Sequence, residues 1–101
     1  MAKRITLAGE TMLSRNTVEA IREGYRGVSV IRDPIAAIQF AIPSGAPGFW
    51  AITFLSKSHV PEARRFTVED IEVALSEDTE EKLRGHIVDV VGSKIVLRKK
   101  Q

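Results

Sequence analysis

Residues 43–48, Pro43-Ser44-Gly45-Ala46-Pro47-Gly48, constrain the fold more than any other stretch of this 101-residue chain. Two prolines and two glycines in six positions exclude regular structure, because proline cannot donate to a backbone ladder and glycine gains most from staying unrestricted. On either side lie apolar runs, 35–42 and 49–55. The first is almost continuous and reads as a strand buried on both faces. The second carries Phe49, Trp50 and Phe54, three of the chain's six aromatics, and reads as the next strand. Alternation sends Phe49 and Trp50 to opposite faces, so at most one of them enters the main core.

The clearest local grammar lies downstream. Residues 66–75 alternate about a tight Glu69-Asp70 turn, with Ile71, Val73 and Leu75 on one face. Ser76 then reads as a helix N-cap. Glu77 and Asp78 occupy the first turn, Lys82 and Arg84 the last, and Gly85 is the stop. Asp78–Lys82 and Glu80–Arg84 are expected i,i+4 ion pairs, and Leu83 is the helix's lone apolar anchor. Residues 86–91 and 94–97 form two strands about a Gly92-Ser93 turn of type II′.

The N-terminal third is less regular. Arg4-Ile5-Thr6-Leu7 is β-like and ends at Gly9. Between Glu10 and Glu23, Leu13, Thr17, Ala20 and Ile21 fall on one helical face, with Gly24 as the stop. Asn16 and Glu19 form an internal capping box at which this helix is expected to start late or break. Residues 27–32 read as a strand closed by Asp33-Pro34, and 56–65 as a polar connection. No internal repeat stands out. The expectation is one α+β domain over 1–101, with a small mixed, strand-rich sheet and two helices.

Composition narrows the function. Apolar residues make up 44% and charged residues 28%, values of a folded globular chain, and the core is small enough for a homo-oligomer to contribute stability. There is no cysteine, which excludes disulfides, thiolate metal sites and thiol nucleophiles together. No apolar run reaches membrane-spanning length, and no apolar segment follows the basic start Met1-Ala2-Lys3-Arg4, so neither a membrane anchor nor a signal peptide is expected and the cytoplasm is the default compartment.

Read in order, residues 45–97 resemble the HesB/IscA-like domain of A-type iron–sulfur carriers. Gly45-Ala46-Pro47-Gly48 stands where that family has a Gly-Cys-Ser-Gly loop, and the aromatic strand 49–55 follows it. The hairpin 66–75 comes next, then a helix ending Leu83-Arg84-Gly85, then Val88-Asp89-Val90-Val91 in place of Val-Asp-Tyr-Val. Residues 1–34 match loosely, and 98–101 form a basic tail. The family's ligands are one cysteine in the glycine loop and two near the C-terminus. Here Ala46 holds the loop position and the chain ends Lys99-Lys100-Gln101, so no cofactor is expected. The resemblance implies a HesB-like scaffold without cluster ligands: a non-enzymatic, protein-interacting domain whose contact residues are Ala46, Pro47, Phe49 and Trp50.

Two further readings use other residues. Arg64, Arg65, Arg98, Lys99 and Lys100 are candidate phosphate contacts for a nucleic-acid-associated protein, although the net charge of +2 is small for that role. His59 and His86, with Glu62 or Asp89, are candidate ligands for a mononuclear metal, although no recognisable spacing joins them, and no metal site is expected. The acidic run Glu77–Glu81 is accounted for by helix capping, and no nucleophile elbow or phosphate loop is visible.

Overall fold

The computed structural model describes residues 4–99. They form eight strands and two helices: β1 (Arg4–Ala8), β2 (Thr11–Ser14), α1 (Arg15–Arg26), β3 (Pro34–Ala41), β4 (Phe49–Ser56), β5 (Arg65–Val68), β6 (Ile71–Ala74), α2 (Glu77–Leu83), β7 (His86–Val91) and β8 (Lys94–Lys99). The domain is α+β with two helices, and its strands divide into two mixed four-stranded sheets, ordered β1-β2-β7-β8 and β4-β3-β6-β5. Hairpin pairs are antiparallel. The joints β2–β7 and β3–β6 are parallel, so each sheet is completed by a hairpin from the other half of the chain.

The sheets face each other and approach along two seams, β1 against β5 and β4 against β8. Between them lies the main core, built on Leu13, Ile21, Ile38, Val73, Leu75, Leu83 and Val88, with Trp50, Ile52, Phe54 and Phe66 packed against it. Both helices pack across the two sheets. The Val60 segment, carried by 3-10 turns at Lys57–His59 and Glu62–Arg64, covers part of the outer face of β3. There Ile35, Ala37, Val60 and Ala74 form a second small cluster.

Several expectations hold residue by residue. Ile71, Val73 and Leu75 are buried together, and Leu83 is fully buried. The Ser76 hydroxyl accepts the Thr79 N–H at 3.1 Å, and Lys82 pairs with Asp78 at 3.1 Å. Gly85 follows the helix with φ +78°, and Gly92 opens its turn at +64° while Ser93 stays negative, as type II′ requires. In the glycine loop, Ala46 N–H donates to Pro43 C=O at 3.3 Å and Gly45 sits at φ +73°, the third position of a type II turn.

Other expectations change. The first helix does not begin near Glu10. Thr11–Ser14 is a strand, and Ser14, not Asn16, is the cap, accepting the Thr17 N–H at 3.2 Å. A hydroxyl placed at the end of a strand satisfies a first-turn donor directly, which leaves nothing for an internal box to do. Gly24 lies inside α1, and Gly27 is the C-cap. Residues 27–33 form no strand: Ile31 N–H closes a turn onto Val28 C=O, Asp33 adopts φ +51°, and both edges of neighbouring β3 are already taken by β4 and β6. Glu80 pairs with Arg64 at 2.9 Å rather than with Arg84.

The element order also shows a duplication. Hairpin, Ser-capped helix, hairpin occurs twice, and its caps share a pattern: Leu13-Ser14-x-x-Thr17-x-Glu19-x-Ile21-Arg22 and Leu75-Ser76-x-x-Thr79-x-Glu81-x-Leu83-Arg84. Helices of 12 and 7 residues, and two extra residues between turn and cap in the second copy, put the copies out of step along the sequence.

Candidate functional site

The loop residues Ala46 and Pro47 are exposed at one end of the β3–β4 hairpin, where Phe49 and Ile42 also reach solvent. Phe49 is 53% exposed and Ile42 74%, whereas Trp50 is half-buried against the core, as alternation requires of neighbouring strand residues. Trp50 pairs across the strands with Phe40, their rings meeting edge to face at 5.2 Å. Gly48 is required beside them: a Cβ there would lie 2.4 Å from the Phe40 ring. The loop thus ends in a fixed aromatic platform.

Alongside it runs an open groove of about 690 Å³. One wall is Phe49–Ile52 of β4, and the other is Val90 with the start of β8, Lys94 and Ile95; Ala20 of α1 also lines it. Each of these strands has a single hydrogen-bonded neighbour among the described residues, β3 for β4 and β7 for β8. The groove therefore lies between two strand edges whose outward backbone groups pair with no other strand there. Neither strand contains a carboxylate, while β8 carries Lys94, Arg98 and Lys99. Of the four residues expected at the site, Phe49 and Trp50 line this groove, and Ala46 and Pro47 belong to the loop above it.

The basic residues are not gathered. Arg64 pairs with Glu80 and lies over the Phe66 ring. Arg65 is part-buried, donating to Val60 C=O at 2.9 Å and Lys57 C=O at 3.0 Å. Arg98 and Lys99 lie within β8 rather than in a free tail, and Arg98 Nε donates to Asp89 at 2.9 Å. Lys100 lies outside the described residues. The histidines also stand apart: His59 closes a 3-10 turn after β4, while His86 opens β7 with Nδ1 3.1 Å from Arg84 C=O. No cluster of three or more metal-ligating side chains occurs among the described residues.

A polar network that sequence reading missed surrounds Asp89. This buried carboxylate accepts from the Ser14 hydroxyl at 2.5 Å, from its neighbour Val90 N–H at 3.0 Å and from Arg98 Nε. Its pKa is lowered chiefly by the Ser14 hydrogen bond, with Arg98 and the Val90 amide adding to it. Thr17 donates its own hydroxyl proton to Val88 C=O at 2.7 Å. The Ser14 and Thr17 hydroxyl protons are both committed to bonds that hold the start of α1 on β7, so Ser14 serves as a cap rather than as a nucleophile poised beside a base. An acid alternating with valines on a strand was the available signal.

Compared with protein-family models, curated proteins and solved structures, the chain finds no match. No helix among the described residues is long and apolar enough to cross a membrane.

Proposed function

We propose that this chain is a cysteine-free relative of the A-type carriers that works without catalysis, as a protein-binding domain. It receives an extended, acidic and apolar segment of a partner in the groove between β4 and β8. The observation that carries this reading is the apolar groove bounded by two unpaired strand edges. A strand laid there would gain backbone hydrogen bonds from an edge, bury alternate side chains against Trp50 and Ile52, and meet Lys94 without meeting a carboxylate on either wall. The glycine loop supplies Phe49 as an exposed contact. Kinship to the carriers rests on the order of loop, aromatic strand, hairpin, helix and Val-Asp-Val-Val strand, and Ala46 makes cluster ligation from the loop impossible.

The test is a backbone-amide NMR titration with an alternating Glu-Val peptide and its Lys-Val counterpart. Shifts confined to residues 49–52 and 90–95, for the acidic peptide alone and abolished in Phe49→Asp, are expected. Trp50→Ala is a poor probe because that ring supports the core. Equal response to both peptides, or none, would sink the proposal. Concentration-dependent line broadening of the same residues without peptide would identify a second copy of the chain as the occupant instead.

A further inference from the structure

Among the described residues, the one helical side chain lining the groove between β4 and β8 is the methyl group of Ala20 on α1. Around it stand Trp50 and Ile52 of β4, Val90 of β7 and Ile95 of β8, all only partly buried, so the surface is open to an incoming group. Together they leave about 690 Å³ between the strands. Glu19 and Glu23, the acids nearest Ala20 on α1, are paired with Arg22 and Arg26 and do not line this space.

The two copies of the motif differ at this point. Aligned on their serine caps, Ser14 and Ser76, Ala20 of α1 in the first copy matches Lys82 of α2 in the second. Each helix meets the third strand of the other copy: α1 packs on β7, and α2 reaches β3. On its side Lys82 spans the distance. Its ammonium stands 5.8 Å from the centre of the Phe40 ring of β3, and Asp78 holds it at 3.1 Å. Ala20 ends at Cβ, so no side chain of comparable length crosses from α1 toward Val90, and the groove stays open there.

This shape selects what a partner strand brings. An interface draws most of its affinity from a few large side chains seated in well-packed apolar pockets. A partner valine would leave much of this space to water. A phenyl ring has the reach to cover the Ala20 methyl, and it offers the Trp50 indole an aromatic neighbour besides Phe40. Along an extended segment the next side chain points the opposite way, out of the groove. It emerges where Lys94 is exposed and no carboxylate lies on either wall, so an acid suits it.

We propose that the segment received in the groove is anchored by one aromatic side chain, seated on Ala20 between Trp50 and Val90, with an acidic neighbour that meets Lys94. This rests on the groove being the binding site and names the residue that the site selects.

The experiment is a calorimetric and NMR titration of the full chain with two peptides, Glu-Val-Glu-Val-Glu-Val-Glu and the same peptide with phenylalanine as its central residue. The phenylalanine peptide is expected to bind at least tenfold more tightly. It should also shift the Ala20 amide and the Trp50 indole N–H further than the valine peptide does. Ala20→Leu fills the space without altering either wall, and should bring the two affinities together while binding of the valine peptide persists. Ala20→Gln, also a good helix former, should act in the same way and keeps the test open if the leucine variant does not fold. Equal affinities in the wild-type chain, or a tenfold preference that survives in the variants, would overturn the aromatic anchor and leave the groove reading standing. Binding of neither peptide to the wild-type chain would overturn both.

Discussion

Gly24 lies inside α1, where an alanine would ordinarily be favoured by about 1 kcal/mol. Here the Phe54 ring occupies the space: a Cβ on residue 24 would sit 2.6 Å from two of its atoms. That ring is in turn held edge-on against Tyr25 at 5.0 Å. Tyr25 cannot move freely, since its hydroxyl accepts from Ala36 N–H at 2.9 Å and donates to Glu72 C=O at 2.5 Å, bridging β3 and β6. Gly24→Ala is therefore expected to destabilise by about 1–3 kcal/mol, against helix propensity. Chemical denaturation of the double variant Gly24→Ala/Phe54→Leu should show a smaller loss than the sum of the two single variants; simple additivity would mean that the close approach is not what requires glycine. The Asp89 carboxyl yields a second prediction at this scale. Its folded pKa lies below the ordinary 3.8, so the unfolded chain takes up this proton first as the pH falls. The stabilisation is complete above about pH 5 and is lost as acid carries the folded carboxyl through its depressed value. Asp89→Asn should lower stability at neutral pH and flatten its acid dependence, measured by urea midpoints between pH 2 and 7.

Among the elements, the β5–β6 hairpin shows how a charge cluster can hold an unfavourable turn. Glu69 adopts φ +55°, a region where a side chain costs energy and where the matching turn of the first hairpin uses Gly9, also at +55°. Two arginines of α1 grip it: Arg15 Nη2 reaches its carboxylate at 2.6 Å and Arg22 at 3.1 Å, while Arg22 also holds Asp70 at 2.6 Å. These bonds, with Arg15 first, bring the Glu69 carboxyl down to about 2. Glu69→Ala keeps the backbone cost and loses the grip, so it should be the least stable variant. Glu69→Gly should recover part of the loss. The gap between wild type and Glu69→Ala should shrink in 1 M salt, because the cluster is exposed, and unchanged melting temperatures across that series would deny the cluster any role. The sequence makes this hairpin, the 35–42 and 49–55 strands, α2 and the Gly92-Ser93 turn legible, since each is bounded by its own turn or cap residues. It hides β2, because Thr11–Ser14 is too short for its alternation to stand out from the helical spacing that follows. Residues 27–32 have the branched side chains of a strand, but whether a strand forms depends on a free neighbouring edge, which no local pattern records. For the same reason the loop pattern marks Phe49 and Trp50 as candidates, whereas the second wall of the groove, Val90–Ile95, depends on the seam between β4 and β8, which no local pattern records.

The whole molecule is two interlocked copies of one motif. The first half contributes β1-β2 to one sheet and β3-β4 to the other; the second half contributes β5-β6 and β7-β8 in the opposite sense. Neither half owns a complete sheet, and the main core draws on both: Leu13, Ile21 and Ile38 from the first, Val73, Leu83 and Val88 from the second. Stability is thus shared across the parallel joints β2–β7 and β3–β6 rather than divided between subdomains. Cutting the chain after Pro61, between the two 3-10 turns, severs the copies without entering a strand or helix. Fragments 1–61 and 62–101 should each lack a cooperative thermal transition, because each leaves both of its hairpins without the facing hairpin that completes a sheet. Mixed in equal amounts they should regain one, with a midpoint that rises with concentration because association is now part of folding. The pseudo-symmetry adds a sharper expectation: fragment 62–101, whose β6 and β7 correspond to the partners joined in the intact chain, should self-associate at high concentration as a symmetric dimer. Circular dichroism with sedimentation equilibrium checks both outcomes. A fragment that melts cooperatively as a monomer would show that one copy closes on itself, and that the joints between the halves contribute packing rather than the fold.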